Sequence, residues 1–517
     1  MLNHISLSFI LILLLSSCAV TSTQPDYADL IEADVTSLQA RMNKGELSSE
    51  QLVNFYLHRI EKYNRQGPEL RAIISINKDA VQRARELDRL RTQGEISGPL
   101  HGIPVLLKDN IDSVGLANTA GSELLKDNLP ADDAFVVTRL KEAGAIILGK
   151  ANLSEWANFR GERSSSGWSA LGGQARNPYD PTTSPCGSSG GSAIAVAANL
   201  VTIAVGTETD GSLVCPAAVN GIVTIKPTLG LISRDGIIPI AHSQDTAGPM
   251  ARTLRDAVIM LASMQGKDSA DPASFATNTD WLSHLQGEGL KGKRIGIVRN
   301  LTGYHELLDK QFEAQLEILE ARGAILVEDA NIETLRKWSE DEFTVLLHEF
   351  KTDLAAYLAG TGLPYANLSD LIAANQASDI ELSIYGQELF EMAEERTEDQ
   401  QQDYQQALER AKRLAGKEGI DAVMEKHQLD VLIAPTVGPA WKIDHVNGDH
   451  YMGSASSAAA VAGYPHITVP MGFIEVPGSP ALPVGLSFFG PANSEPVLIE
   501  AAYGYEQASQ HRKPPPL

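Results

Sequence analysis

The 517-residue sequence predicts an α/β protein, a sheet covered by helices on both faces. Three observations predict it. Short apolar runs of strand length alternate with helical stretches, the arrangement of a sheet buried on both sides. Hydrophobic residues make up 43% of the chain, enough for a large core and too many for a disordered polypeptide. No repeat of fixed period divides the chain, and at roughly 100–200 residues per domain its length fits two to four domains or one large elaborated one.

Taken from the start, Ile5 to Leu15 is an apolar run of 11 residues. It is shorter than the roughly 20 residues that span a bilayer and has the size of a signal-peptide core. It ends in Leu15-Ser16-Ser17-Cys18, which resembles the bacterial lipobox. The expectation is a signal peptide over 1–17, a lipidated Cys18, a tether over 18–33 and a location in the cell envelope facing the periplasm. Met1 to His4 contains no Lys or Arg, which departs from that pattern, and cleavage with simple secretion is the alternative.

From Asp34 to Arg91 the pattern is helical, with Ser48 as N-cap and Gln51 three residues later forming a capping box. Ile103–Leu107 and Ala145–Leu148 read as strands, with a helix over Ala134–Ala143 between them. Ala193–Asn199 reads as a small-residue helix, followed by strands at Leu200–Val205, Gly221–Ile225 and Arg294–Val298. The stretch 300–430 is long, charged and helical and is expected to shape a substrate channel. Val431–Pro435 returns to strand character, Ala455–Gly463 is another small-residue helix, and 508–517 is expected as a flexible tail. Glycine and serine crowd into 161–192, which places backbone close around a site.

Charge and cysteine content exclude several functions. With 42 basic and 65 acidic residues the formal charge is -23, which repels a phosphate backbone and argues against nucleic acid as a partner. Three cysteines are too few for a disulfide framework, and Cys186 and Cys215 read as small buried residues. No pair of histidines has metalloprotease spacing, and no metal or cofactor is implied. His101, His242, His348 and His466 read as scaffold. Gly144 to Lys150 has P-loop spacing, but Ala151 stands where the Mg²⁺-binding hydroxyl belongs. Gly287 to Gly292 precedes a strand instead of following one. Ser75 to Lys78 fits SxxK without its companion motifs. Gly187 to Gly191 fits the nucleophile elbow GxSxG, but Thr182–Cys186 before it is loop, not strand.

Three segments remain. Gly102-Ile103-Pro104-Val105-Leu106-Leu107-Lys108 puts a lysine at the end of an apolar strand, where burial penalises an ammonium. Gly187-Ser188-Ser189-Gly190-Gly191-Ser192 and Gly206-Thr207-Glu208-Thr209-Asp210-Gly211-Ser212 follow it. A serine hydroxyl needs a base to become a nucleophile, and a lysine serves as base once desolvation lowers its pKa. In this order the segments resemble the amidase signature family, and Asn177-Pro178-Tyr179-Asp180 and Lys226-Pro227-Thr228 match it too. Ser233–Ile240 and Gln244–Met250 resemble the bacterial peptide amidases of that family. The likeness runs from about Asp34 to about Gln507.

The resemblance implies the amidase-signature fold, with a central mixed β-sheet in one domain over 34–507. It implies that Lys108 takes a proton from Ser188, that Ser188 takes one from Ser212, and that Ser212 attacks the amide to form an acyl-enzyme. It implies a cis bond between Gly187 and Ser188. Backbone N–H groups of Thr209, Asp210, Gly211 and Ser212 are expected to form the oxyanion hole, and Ser189 is expected as either a hydrogen-bonding support or an N-cap. The expected enzyme is a monomer that hydrolyses a small-molecule or peptide amide and releases ammonia. The alternatives are the amide-hydrolysing component of a tRNA-dependent amidotransferase, a general aliphatic or aryl amidase, and a non-catalytic binding protein on the same scaffold.

Overall fold

The computed structural model describes residues 28–517. Among these, eleven strands form one sheet: β1 (Ile73–Ile76), β2 (Pro104–Lys108), β3 (Ile146–Ala151), β4 (Ile203–Glu208), β5 (Val223–Lys226), β6 (Thr246–Ala251), β7 (Arg294–Ile297), β8 (Ile325–Val327), β9 (Val431–Pro435), β10 (His466–Ile474) and β11 (Leu482–Phe489). Their spatial order is β1-β3-β2-β4-β6-β5-β10-β11-β9-β7-β8. β2 is parallel to β3 and β4, and β7 is parallel to β8 and β9. The other neighbours are antiparallel, so the sheet is mixed as expected.

Helices flank the sheet, and those used below are α1 (Ser49–Tyr63), α2 (Gly190–Ala197), α3 (Val214–Val219), α4 (Ser339–Ala359), α5 (Ser456–Ala462) and α6 (Glu495–Ser509). α1 begins with the expected capping box: the Ser48 side chain accepts from Gln51 N–H, and the Gln51 side chain accepts from Ser48 N–H. Leu52, Val53, Tyr56 and Ile60 bury its inner face. The central strands β2, β3, β4 and β9 are buried along their whole length. This is why they read as continuous apolar runs and not as alternating ones.

Three segments differ in character from the sequence reading. β1 lies inside the stretch expected to be helical from Asp34 to Arg91, because the Ile73-Ile74-Ser75-Ile76 run pairs with β3 at the sheet edge. β8 interrupts the otherwise helical 300–430 region. The C-terminal segment, expected as a flexible tail, is tied to the body. The Arg512 guanidinium donates to Glu32, to Tyr179 Oη and to the carbonyls of Ala197 and Gly221. In the helical region, α4 packs Leu347, Phe350, Leu354 and Leu358 onto Trp156, Phe159 and Phe390. Phe159 and Ile240 of this cluster line a cavity together with Thr209 and Ser212, just beyond the end of β4.

Candidate active site

Strand β2 carries Lys108 into a fully buried position at its end. The Lys108 amine lies 2.7 Å from Ser188 Oγ, 2.8 Å from Thr207 Oγ1 and 3.2 Å from the Thr207 carbonyl. Burial pulls its pKa down from 10.5 to about 7, against the opposing pull of the Asp245 and Glu208 carboxylates. Next to it Lys150 is also fully buried and ion-paired with Asp109 at 3.2 Å. Lys150, the lysine of the discarded P-loop match, therefore braces the turn after Lys108.

Ser188 sits in the loop before α2, and the Gly187–Ser188 peptide bond is cis. Ser189 precedes α2 but makes no side-chain cap bond. Its hydroxyl instead donates to the Thr207 carbonyl at 3.0 Å and accepts from Thr207 N–H at 3.1 Å. Ser189 N–H also donates to the Ser212 carbonyl at 3.1 Å, joining the two serine loops.

Ser212 stands on the turn between β4 and α3. Gly211 takes φ +77°, a conformation that favours glycine. The Glu208 carboxylate closes the turn by accepting from Leu213 and Val214 N–H at 2.8 and 3.1 Å. Among the described residues, the backbone N–H groups of Thr209, Asp210, Gly211 and Ser212 have no protein acceptor, and the Ser212 hydroxyl makes no hydrogen bond. The structure thus joins Lys108 to Ser188 directly and ties Ser212 to the neighbouring Ser189 through the backbone.

Two cavities meet at these residues. One, of about 310 Å³, is lined by Ser188, Thr207, Asp235, Asp245, Asp353 and Tyr357, among others. The other, of about 300 Å³, is lined by Ser212, Phe159, Leu346, Trp441, Asp449 and Tyr451, among others. Ala157, Thr209 and Ile240 line both. Leu346, Asp353 and Tyr357 belong to α4, so the helical region forms part of the walls.

Several contributors escaped the sequence reading. Thr207 orients the lysine, and Asp245 accepts from Thr209 Oγ1 and from the N–H groups of Ile240 and Ala241. Burial raises Asp245 to about 6. The run Gln244–Met250 marked this region without singling the aspartate out.

Cys186 and Cys215, expected as two separate buried residues, form a disulfide with Cα atoms 6.0 Å apart. Their spacing of 29 residues hides this, because α2 and β4 fold the intervening chain back on itself. The bond ties the loop before Ser188 to the helix after Ser212.

His242 lines the cavity beside Ser188, while His101 and His466 are engaged elsewhere. His101 Nε2 lies 3.0 Å from the Leu87 carbonyl, and burial pushes His466, beside Ser487, down to about 3. His242, Glu349 and Asp353 bring possible metal-ligand atoms within 4.8 Å of one another. Glu349 already accepts from Ser243 N–H and Tyr404 Oη, and Asp353 accepts from His242 N–H.

The amidase family model matches residues 51–499. A probable amidase of Arabidopsis thaliana is 41% identical, covering 94% of this chain and 91% of its own. Putative amidases of Schizosaccharomyces pombe and Arthroderma benhamiae are 35% and 32% identical, again over 94% of this chain, covering 87% and 83% of theirs. The crystal structure of native peptide amidase from Stenotrophomonas maltophilia superposes with a TM-score of 0.88 at 51% identity, covering 95% of this chain and 99% of that one. One chain of the glutamyl-tRNA(Gln) amidotransferase of Methanosarcina barkeri is 32% identical, covering 91% of this chain and 96% of its own.

These relatives correct the expected address. The curated amidases matched over nearly the whole chain come from a plant, a fission yeast and another fungus, organisms with no bacterial envelope. The signal-peptide, lipidated-Cys18 and periplasmic reading is withdrawn. It rested on a run without the basic flank such leaders carry. Residues 1–17 and Cys18 lie outside the described residues, and no described helix is long and apolar enough to cross a membrane. A family match over 51–499, together with close structural likeness to a peptide amidase, decides the larger question: the chain belongs to the amidase family of amide-hydrolysing enzymes.

Proposed function

We propose that this amidase removes the C-terminal amide group of peptides, releasing ammonia, through an acyl-enzyme on Ser212. The observation that carries the mechanism is the buried Lys108 amine 2.7 Å from Ser188 Oγ. With its pKa near 7, a large share of the amine is neutral at physiological pH and accepts a proton. Lys108 takes the Ser188 proton as Ser188 takes that of Ser212, and Ser212 Oγ attacks the amide carbon. No hydrogen bond joins the two serine hydroxyls, and the relay requires that contact to tighten as the proton is transferred. The tetrahedral oxyanion is received by the unpartnered N–H groups of Thr209 to Ser212, donors that need no reorganisation as charge develops. The proton returns through Ser188 to the leaving nitrogen. Ammonia departs, and water, activated by the same relay, hydrolyses the ester.

Likeness to peptide amidase at 51% identity supports the substrate class. The cavity beside Ser212, walled by Phe159, Leu346, Trp441 and Tyr451, offers an apolar surface for the side chain of a terminal residue. Incubating a peptide amide with the enzyme is expected to raise its mass by about one unit with the backbone intact, as amide becomes acid. Ser212→Ala is expected to abolish this and to block labelling by a serine-reactive phosphonate. Internal fragmentation, or turnover of short aliphatic amides alone, defeats the substrate reading. Labelling of Ser189 in place of Ser212 defeats the nucleophile assignment. Activity of the single chain unaided separates this reading from that of an amidotransferase component, which works within a complex.

A further inference from the structure

Glu342, on the first turn of α4, is nearly buried and takes no part in the proton relay. Its carboxyl group lies against that of Asp210, the residue two before Ser212. Gln244 Nε2 bridges the same place, donating to Glu342 Oε1 at 3.1 Å and to the Thr209 carbonyl at 3.3 Å. Both contacts run from α4 to the turn whose N–H groups would hold the oxyanion. Two adjacent buried carboxylates repel each other unless one of them holds a proton, and Asp210 Oδ1 is buried without a hydrogen-bond donor.

We propose that Glu342 carries this proton and donates it in a hydrogen bond to Asp210 Oδ1, making Glu342 the positioning residue that fixes the oxyanion turn. The surrounding groups assign the proton to Glu342. Burial raises Asp210, but the hydroxyls of Ser456 and Ser457 on α5 and the buried Lys226 ammonium on β5 act on it in the opposite sense and favour its ionised form. Glu342 has Gln244 and Ser457 for support and faces the negative charge of Asp210. Burial first, and that charge second, raise Glu342 to about 8. The other titratable groups nearby are Glu208 on the same turn, which accepts from Leu213 and Val214 N–H, and Tyr451, which lines the cavity. Asp341 on α4 is engaged with Arg410.

The sign follows from the chemistry. Below the pKa of Glu342 the shared proton holds the turn. Above it, two adjacent anions repel each other beside the place where the oxyanion must form, so turnover falls as pH rises. The inference rests on Ser212 as nucleophile, and the test separates the two.

The kcat profile is measured between about pH 6 and pH 10 on a peptide amide for wild type, Glu342→Gln, Glu342→Ala and Ser212→Ala. The wild type is expected to lose activity above about pH 8, by roughly tenfold per pH unit. Glu342→Gln donates an amide N–H to Asp210 at every pH. It is expected to keep neutral-pH kcat within about threefold and to show no alkaline limb. Glu342→Ala leaves Asp210 without that donor and is expected to lower kcat by about 10- to 100-fold with KM little changed. Should Glu342→Ala fail to fold by thermal melting, the glutamine variant alone decides. A wild-type alkaline limb persisting in Glu342→Gln overturns the proposal, as does a wild-type profile flat to pH 10. Activity retained by Ser212→Ala would instead overturn the nucleophile reading.

Discussion

Lys108 offers the sharpest test of how burial creates the base. An ordinary lysine of pKa 10.5 is about 0.03% neutral at pH 7, whereas one at about 7 is about half neutral. Burial therefore multiplies the available base roughly 10³-fold, and holding the ammonium there costs about 5 kcal/mol relative to water. Lys108→Arg keeps bulk and charge but introduces a guanidinium that does not release its proton below about pH 12. The expected loss in kcat/KM is at least about 10³-fold at pH 7, read as ammonia released from a peptide amide. The wild-type profile should carry an acidic limb centred near 7, falling tenfold per unit below it, because protonation removes the base. An arginine variant keeping more than about a tenth of wild-type activity would refute the argument. So would a wild-type profile flat down to pH 5.

Two further outcomes follow from the same contacts. The Asp245 carboxylate raises the Lys108 pKa, so Asp245→Asn should move the acidic limb to lower pH by up to about one unit; a limb that stays or moves upward contradicts this. Removing the Cys186–Cys215 bond in the double alanine variant frees a closed loop and should cost about 3–4 kcal/mol, lowering the calorimetric melting temperature by roughly 3 °C; an unchanged melting temperature contradicts this.

What the sequence disclosed was set by how local the signal is. Strands β2, β3, β4 and β9 are buried on both faces and show as plain apolar runs. Lys108 ends one such strand, Ser212 lies on the turn after another and Ser188 just precedes α2, places where an ammonium or a glycine-bounded serine is conspicuous. β10 and β11 escaped because Pro470, Gly472, Pro483 and Gly485 break their apolar runs. The Cys186–Cys215 bond and the Asp210–Glu342 contact escaped for a different reason: each joins segments whose proximity depends on the finished fold. Arg512 read as part of a frayed end because its partners, Glu32 and the carbonyls of Ala197 and Gly221, are distant in the chain.

The strand order also governs how the molecule is made. Strands β1 to β6, with Lys108, Ser188 and Ser212 among or beside them, are all present once residue 251 has been synthesised. Yet the neighbour that pairs with the outer edge of β5 is β10, at His466–Ile474. At about 5–20 residues per second, a ribosome needs roughly 10–40 s to bridge that interval. Throughout it, a nascent sheet with its chemical groups already assembled displays an open edge of unpaired N–H and C=O groups, the template on which strands of other chains add. The period of greatest aggregation risk thus falls during translation, and it ends only when the last two strands slot into the middle of the sheet.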